Sequence, residues 1–236
     1  MNSKFTAAKP SIYSKLLTVL IPGAGSSDRL NLEEPKSLIS IKNETLLNYQ
    51  VRVLNDLFQN ADFIFVGGFG LDKIMKIVPK NVRVIENENY TCHNTARSID
   101  LGLKATITDS VLIVFGDLYF TPDIFKNLHT DTSSVIFTGT PIKKSEIGII
   151  SENGLVTNMS FKLKTQWAQI VYLTGKELKL LRKIAYNHKN NKMFGFELIN
   201  KVIDMGGQFK AVETESQFTD IDTPDDLKRL RKWLKN

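Results

Sequence analysis

Residues 16–38, LLTVLIPGAGSSDRLNLEEPKSL, decide the fold, because a strand-length apolar run ends at Pro22 and small residues follow it. The run LLTVLI has the length and composition of a buried β-strand. Glycines placed directly after a strand let backbone amides approach an anion, and the start of a following helix favours negative charge. Arg29 and Lys36 supply two cations within the next fourteen residues. The stretch therefore predicts an anion-binding loop at the end of the first strand.

The length and composition predict one α/β domain at 15–236 behind a polar tail at 1–14. A chain with 42% hydrophobic and 24% charged residues can bury its own core. No apolar run is long enough to span a bilayer, and the N-terminal sequence lacks the apolar segment of a signal peptide. Cys92 is the single cysteine, so an intramolecular disulfide and a four-cysteine zinc site are excluded. We expect a cytoplasmic protein without membrane insertion.

Basic residues exceed acidic ones by six, 31 against 25, which suits ligands that carry phosphate or nucleic acid. Most of them are scattered along the chain, as on a solvated surface. The densest cluster, KRLRKWLK, lies at the end of a predicted C-terminal helix, where cations favour the helix dipole. We therefore expect small phosphate-bearing ligands and no nucleic acid, and a homodimer stays an open expectation.

Strand-length apolar runs alternate with helical patterns along the first 140 residues. The predicted strands are 16–21, 62–68, 82–87, 110–117, 133–139 and 209–213. The predicted helices are 45–57, 71–78, 95–105, 121–128, about 175–187, about 193–205 and 223–236. A hairpin is predicted around Asn153-Gly154, a pair that favours a type I′ turn. The alternation indicates a three-layer α/β/α fold with a mostly parallel central sheet, a Rossmann-like arrangement.

We considered three interpretations of the segment GAGSS: a Walker loop, a dinucleotide-binding turn and an ordinary tight turn. A Walker loop requires G-x-x-x-x-G-K-[ST], which residues 23–28 do not supply. A dinucleotide-binding turn matches Gly23 and Gly25, but Asp28 stands where its third glycine belongs. The second predicted strand also ends in VGG, without the acid that holds a ribose hydroxyl. An ordinary tight turn remains the alternative from the glycines alone.

The segment IPGAGSSDRL, followed by PKSLI, resembles the start of the GT-A-type nucleotidyltransferases. This family includes the sugar-phosphate and choline-phosphate cytidylyltransferases and the MobA-like NTP transferases, and its pattern is roughly I-P-x-A-G-x-G-[ST]-R-[FL] followed by P-K-P-L-I. Ser27 and Asp28 depart from that pattern, and Asp28 would add negative charge beside the phosphates.

The resemblance assigns roles to the loop. Arg29 would face the departing pyrophosphate, and Lys36 would contact the phosphates around the reacting phosphorus. Fixed cations at these points stabilise the charge that develops on the phosphate oxygens. A surface lysine is the alternative for Lys36. The predicted nucleotide-binding residues of the loop are Pro22, Gly23, Ala24 and Gly25.

Asp117 ends the apolar run SVLIVFGD, which is typical of a central parallel strand. Ligands of such sheets bind outside the carboxyl ends of the strands, where an acid can hold Mg²⁺ against phosphate. A turn or capping acid is the alternative. The resemblance agrees with the metal role, because the family carries a Gly-Asp pair at this strand end.

A second acidic motif, DIDTPDDL, precedes the C-terminal helix. Thr223 can cap that helix, Pro224 fits its first position, and the following two acids suit its positive end. Asp222 and Asp220 therefore need another explanation, with solvated loop acids as the alternative. The resemblance implies that Asp222 is the second Mg²⁺ ligand, and Asp220 is the reserve candidate.

The segment VIENENYTCHNTARSID resembles the family's turn beside the nucleotide, with Asn87 or Asn89 as its first asparagine. Asn94 and Ser98 are the predicted nucleotide contacts. Asn94 is equally suited to cap the helix that begins at Thr95. The adjacent Cys92 and His93 do not predict a nucleophile and its base, because neighbours in sequence rarely face each other.

The sequence marks less clearly the residues that would bind the acceptor, the molecule that receives the nucleotide. Lys164, with Lys162 as the next candidate, falls where the family carries a lysine that meets the acceptor phosphate. Its alternation with apolar neighbours also fits a plain amphipathic strand. Glu197 falls where related enzymes place an acid that binds the acceptor, and a helix-surface role is its alternative.

These parts predict an Mg²⁺-dependent nucleotidyltransferase. A phosphate oxygen of the acceptor, a sugar 1-phosphate or small phospho-alcohol, would attack the α-phosphorus of an NTP, with CTP preferred, and pyrophosphate would leave. The acceptor is already an anion, so no general base is required. One alternative is a nucleotide-binding regulatory protein of the same fold without turnover, which Ser27 and Asp28 motivate. Another is a GT-A glycosyltransferase, whose usual Asp-x-Asp metal site GDLYF does not match.

Overall fold

The structure, a computed structural model, describes residues 17–26, 30, 33–141 and 146–235. The predicted polar tail and the loop residues Ser27, Asp28 and Arg29 lie outside this part of the chain. The α-helices are α1 Leu46–Leu57, α2 Leu71–Ile74, α3 Thr95–Ala105, α4 Gly175–Tyr186, α5 Gly195–Asp204 and α6 Pro224–Lys235. The strands are β1 Leu17–Pro22, β2 Ser40–Ile41, β3 Glu44–Thr45, β4 Asp62–Gly67, β5 Val82–Glu86, β6 Ser110–Val114, β7 Leu118–Phe120, β8 Ser134–Thr138, β9 Ile147–Glu152, β10 Leu155–Phe161, β11 Gln166–Thr174, β12 Lys210–Glu213 and β13 Phe218–Asp220.

One mixed sheet of nine strands forms the centre of the fold, in the order β5-β4-β1-β6-β11-β8-β12-β10-β9. The four strands β5, β4, β1 and β6 pair in parallel, as do β8 and β12. The other neighbouring pairs are antiparallel. The parallel part carries the carboxyl ends of β1, β4 and β6 at one edge of the sheet, which is where the anion-binding loop was predicted.

Helices cover both faces of the sheet. Along β1, Leu20 packs in the cluster that contains α3, α4 and α5, whereas Val19 and Ile21 pack in the cluster that contains α1. Because both faces are buried, the strands read as continuous apolar runs and not as alternating ones. The predicted three-layer α/β/α class is therefore confirmed. None of the helices in the described ranges is long and apolar enough to cross a membrane.

The structure differs from the sequence-based prediction after the parallel half. The sequence did not predict β11, although it lies between β6 and β8. Its pairing with β8 is irregular between Trp167 and Val171, and the polar Gln169, which has a positive φ of 57°, interrupts its apolar run. The helix predicted at 121–128 is only a 3₁₀ turn, Pro122–Phe125, because β7 just before it pairs with β13 and leaves room for a short connector.

Backbone hydrogen bonds join residues 22–25, which we call the glycine loop, to β4 and to the segment after β6. The amide of Gly116 donates to Pro22 O at 3.0 Å, and the amide of Gly23 donates to Val66 O at 2.8 Å. A Cβ on Gly116 would lie 2.8 Å from Gly23 Cα and 3.1 Å from Pro22 O. Because those neighbours are backbone atoms that cannot rotate away, this position requires glycine.

We expect Gly116→Ala to lower the free energy of unfolding by about 1–3 kcal/mol, since the added methyl group overpacks a backbone contact. Urea unfolding followed by circular dichroism measures this change. Gly25→Ala is the matched control, because a Cβ at Gly25 would meet no atom of the described residues within 4 Å. Equal urea midpoints for Gly116→Ala and the wild type would show that the contact can relax.

Candidate active site

A cleft lies beyond the carboxyl ends of β1 and β6, between the glycine loop and the start of α3. Its walls include eight of the predicted site residues: Pro22, Gly23, Ala24, Gly25, Lys36, Asn94, Ser98 and Asp117. These residues come from four separate stretches of the sequence, which the fold brings together in one cleft.

Lys36 joins the two predicted metal ligands. Its Nζ donates to Asp117 Oδ2 at 3.2 Å and also to Asp222 Oδ1. The side chain of Lys36 is 11% exposed, and those of Asp117 and Asp222 are 27% and 16% exposed. The two carboxylates therefore lie on one side of the molecule and share a single ammonium group. Asp220, the reserve candidate, is a buried residue of β13 and is not in contact with Lys36 among the described hydrogen bonds.

A small second sheet explains why the two acids meet. β7 begins directly after Asp117, and its partner β13 ends two residues before Asp222. The strands pair antiparallel with Asp220 opposite Leu118, and the amide of Ile221 donates to Asp117 O at 2.9 Å. This pairing brings Asp117, just before β7, beside Asp222, just after β13.

Other parts of the chain fix the backbone of the turn at Asp117 and of the turn at Lys36. Gln50 of α1 is buried and donates from Nε2 to Phe115 O at 2.9 Å and to Leu118 O at 2.6 Å, on the two sides of Asp117. Lys36 begins a 3₁₀ turn after Pro35. Pro35 packs against Gly70, where a Cβ would lie 2.6 Å from Pro35 Cγ. Both turns therefore present their side chains from a supported backbone.

The electrostatics of the three side chains favour a charged lysine. Burial lowers the pKa of Lys36, but the Asp117 and Asp222 carboxylates and their hydrogen bonds outweigh this effect and raise the pKa above its ordinary value. The ammonium group therefore stays charged while it bridges the two acids.

The donor set fits Mg²⁺ that is held together with a phosphate. Carboxylate oxygens are the hard ligands that Mg²⁺ prefers, and this ion commonly binds through one or two carboxylates plus substrate phosphates. The described residues contain no group of three or more His, Cys, Asp or Glu side chains that could hold a metal. Asp117 and Asp222 would thus leave most ligand positions to water and to a bound nucleotide.

The glycines that end β4 serve packing. A Cβ on Gly68 would lie 2.8 Å from the Tyr90 ring and 2.9 Å from Ala24 O. The VGG end of this strand thus lets Tyr90 and the glycine loop pack against it. This explains in packing terms why the strand ends without the ribose-binding acid of a dinucleotide site.

The opposite wall of the cleft carries polar atoms that lack partners. Asn87 is 2% exposed, and its Nδ2 donates to Ser98 Oγ at 3.1 Å. In the described part of the chain, Asn87 Oδ1 and His93 Nδ1 are buried without a hydrogen-bond partner. Because buried polar atoms are normally hydrogen-bonded, unpaired ones in a cleft wall are candidates for ligand contacts. Of the two predicted asparagines, Asn87 lines the cleft, and Asn89 is an exposed turn residue.

Asn94 caps α3 and lines the cleft at the same time. Its Oδ1 accepts from the amide of Thr95 at 2.9 Å, as the capping alternative predicted. The amides of Asn94 and Ala96 donate to Asn191 O and Met193 O at 2.9 and 3.2 Å. The first amides of α3 are therefore already paired, so this helix start has little capacity for a phosphate.

The structure does not bring the two predicted acceptor residues into the cleft. Lys164 is exposed in the turn between β10 and β11. Glu197 accepts from the amide of Phe194 at 2.6 Å and so caps α5. Their roles toward an acceptor stay predictions, as does that of Arg29, which lies outside the described ranges.

Tyr90, which the family resemblance also marked, lines the cleft, whereas sequence reasoning missed five other residues of its wall: Ser37, His93, Thr95, Phe115 and Gly116. Ser37, Phe115 and Gly116 adjoin predicted residues and could have been inferred by proximity. Nothing in the sequence marks His93, because its position depends on the turn before α3.

Residues 19–141 match the family model of the MobA-like NTP transferase domain. Among solved structures, the CTP:phosphocholine cytidylyltransferase from Streptococcus pneumoniae has a TM-score of 0.77 at 16% identity, with 93% of this chain and 99% of that chain covered. The inositol-1-phosphate CTP transferase from T. maritima has a TM-score of 0.75 at 15% identity, with 94% and 97% covered. The nucleoside-diphosphate-sugar pyrophosphorylase from Vibrio cholerae RC9 has a TM-score of 0.73 at 16% identity, with 91% and 100% covered. No curated protein sequence matches the chain.

We expect Lys36→Met to lower the free energy of unfolding by about 2 kcal/mol, because two partly buried carboxylates would lose their shared cation. Urea unfolding in the presence of a chelator measures the change, and Lys76→Met, at an exposed position in the turn after α2, is the control. In the Lys36→Met background, Asp117→Asn should recover part of the loss. Additive losses in the double variant would contradict the shared contact.

Proposed function

This chain belongs to the MobA-like NTP transferase family, and from that premise we propose that it transfers a nucleoside monophosphate, CMP by preference, to a phosphorylated acceptor. The acceptor is a sugar 1-phosphate or a small phospho-alcohol, and pyrophosphate is released. The observation that carries the proposal is the contact of Lys36 with both Asp117 and Asp222 beside the glycine loop.

The glycine loop is assigned to the triphosphate. The amide of Gly23 already donates to Val66 O at 2.8 Å, so we assign the amides of Ala24 and Gly25 to the phosphates. Among the described residues, no atom lies within 4 Å of a Cβ built at Gly25, which is compatible with a ligand beside this backbone. Backbone amides at this point add no net charge and need no rearrangement to stabilise phosphate oxygens.

Lys36 provides the fixed cation for the reaction. An oxygen of the acceptor phosphate forms a bond to the α-phosphorus, and the bond from that phosphorus to the bridging oxygen of pyrophosphate breaks. Negative charge grows on the leaving oxygens, and a cation held in a partly buried cleft stabilises it more than it would in water. The attacking phosphate is already ionised, so no residue has to remove a proton.

Asp117 and Asp222 would hold the divalent ion. When bound, Mg²⁺ would supply charge neutralisation and a fixed orientation of the phosphates. The two carboxylates orient toward one point because the β7–β13 pairing fixes their backbones.

Two arguments support the preference for CTP. Two of the three similar structures described above are named for CTP. Asn87 Oδ1 is a buried acceptor without a partner in the described cleft wall. Such an acceptor suits the exocyclic amino group of cytosine, whereas uracil and thymine present an oxygen at that position.

We expect pyrophosphate release from CTP and Mg²⁺ with at least one acceptor among phosphocholine, inositol 1-phosphate and glucose 1-phosphate. Asp117→Asn and Asp222→Asn should each lower kcat/KM by about 100-fold or more, since each removes a charge that holds the metal. Asp225→Asn is the matched control. Asp225 lies in the first turn of α6, the helix that follows Asp222, and its side chain is 83% exposed. Nucleotide binding without pyrophosphate release for any acceptor would favour the regulatory alternative.

The base preference is tested by thermal unfolding with CTP, UTP, GTP, ATP and dTTP in the presence of Mg²⁺. CTP should raise Tm most, because among ligands that bind only the folded state at equal concentration, the one that binds most tightly stabilises it most. Equal shifts from CTP and UTP would overturn the CMP preference and would leave the transferase assignment intact.

A further inference from the structure

Asp226 is a buried acid directly behind the loop that carries Asp222. Its side chain is 2% exposed, whereas that of the neighbouring Asp225 is 83% exposed and pairs with Lys228 at 3.2 Å. The sequence assigns both acids to the positive end of α6. The structure separates them, since only Asp226 faces the interior.

One oxygen of Asp226 collects three donors from the loop. Oδ2 accepts from the amide of Asp222 at 3.1 Å, from the amide of Thr223 at 2.8 Å and from Thr223 Oγ1 at 2.8 Å. The other oxygen, Oδ1, accepts from Arg229 at 3.0 Å. Hydrogen bonds to an ionised acceptor are stronger than neutral ones, so this carboxylate holds the loop firmly.

These contacts exceed what a helix cap requires. A capping box needs the third helical residue to bond the amide of the capping residue, which is Thr223 here. The additional bond to the amide of Asp222 fixes the residue whose carboxylate contacts Lys36. The amide of the preceding Ile221 is fixed separately by Asp117 O. Asp226 and the Asp117 carbonyl therefore fix the backbone at Asp222 and at the residue before it.

We propose that Asp226 is a positioning residue, which aims the Asp222 carboxylate at the point it shares with Lys36 and Asp117. The inference rests on the proposed function for its catalytic meaning. The positioning itself concerns only this chain's own contacts and can be measured without turnover.

The first experiment is a double-mutant cycle in urea unfolding, with Lys36→Met combined with Asp226→Asn and with Asp226→Ala. If Asp226 holds Asp222 against Lys36, the shift of the urea midpoint caused by Lys36→Met should be roughly halved in the Asp226→Ala background. Arg229→Met is the matched control. It breaks the same buried ion pair, 3.0 Å long, but leaves the three bonds of Oδ2 in place. Equal shifts in all backgrounds would overturn the positioning role.

The second experiment measures pyrophosphate release by the same full-length variants below their melting temperatures. Asp226→Ala should lower kcat by about 10- to 100-fold with little change in the KM for the nucleotide, since small misplacements of a reacting geometry are costly. Asp226→Asn keeps an acceptor oxygen and should recover part of kcat. Arg229→Met and Asp225→Ala should keep the wild-type kcat.

The two experiments separate the possible failures. A coupled urea cycle in a protein that releases no pyrophosphate would reject the proposed function and keep the positioning role. An equal loss of kcat in Asp226→Ala and Arg229→Met would reduce Asp226 to a stabilising residue. If Asp226→Ala does not fold, Asp226→Leu, which also lacks an acceptor oxygen, replaces it in both measurements, and an unchanged effect of Lys36→Met in that background overturns the proposal.

Discussion

The ammonium group of Lys36, shared between two carboxylates, is the interaction on which the cleft depends. Asp117 and Asp222 would repel each other in a partly buried setting, and Lys36 allows both to approach the same point. The same contact explains the supports around it, because Gln50 fixes the Asp117 turn and Pro35 fixes the Lys36 turn. The cleft is thus an electrostatic cluster that several packed elements hold in place.

The parallel half of the sheet positions this cluster. The strands β1 and β6 lie side by side, so their carboxyl ends place the glycine loop next to Asp117. Gly116 lets the two backbones touch, which a side chain would prevent. The antiparallel half adds α5 and the β9–β10 hairpin on the other side. The small β7–β13 sheet then brings Asp222 to the cluster from outside the large sheet.

The sequence predicted the parallel half well, because strands buried on both faces read as long apolar runs and their helices have clear periodicity. It also predicted that Asp117 and Asp222 would meet, through the resemblance to a family. It did not predict β11, since Gln169 interrupts the strand pattern. It could not predict Asn87 as a cleft residue over Asn89, nor the buried role of Asp226. Those assignments depend on which way a turn or helix faces, and composition and spacing do not contain that information.

The contact between Lys36 and Asp222 joins residues 186 positions apart, and the contact between Lys36 and Asp117 joins residues 81 positions apart. Contacts of such long sequence separation form late, since the closing of the intervening chain must precede them. During synthesis the charge cluster cannot form until β13, which ends two residues before Asp222, has paired with β7. The two acids therefore stay apart in a nascent chain that lacks β13, and their shared contact with Lys36 is completed only by the C-terminal part of the chain.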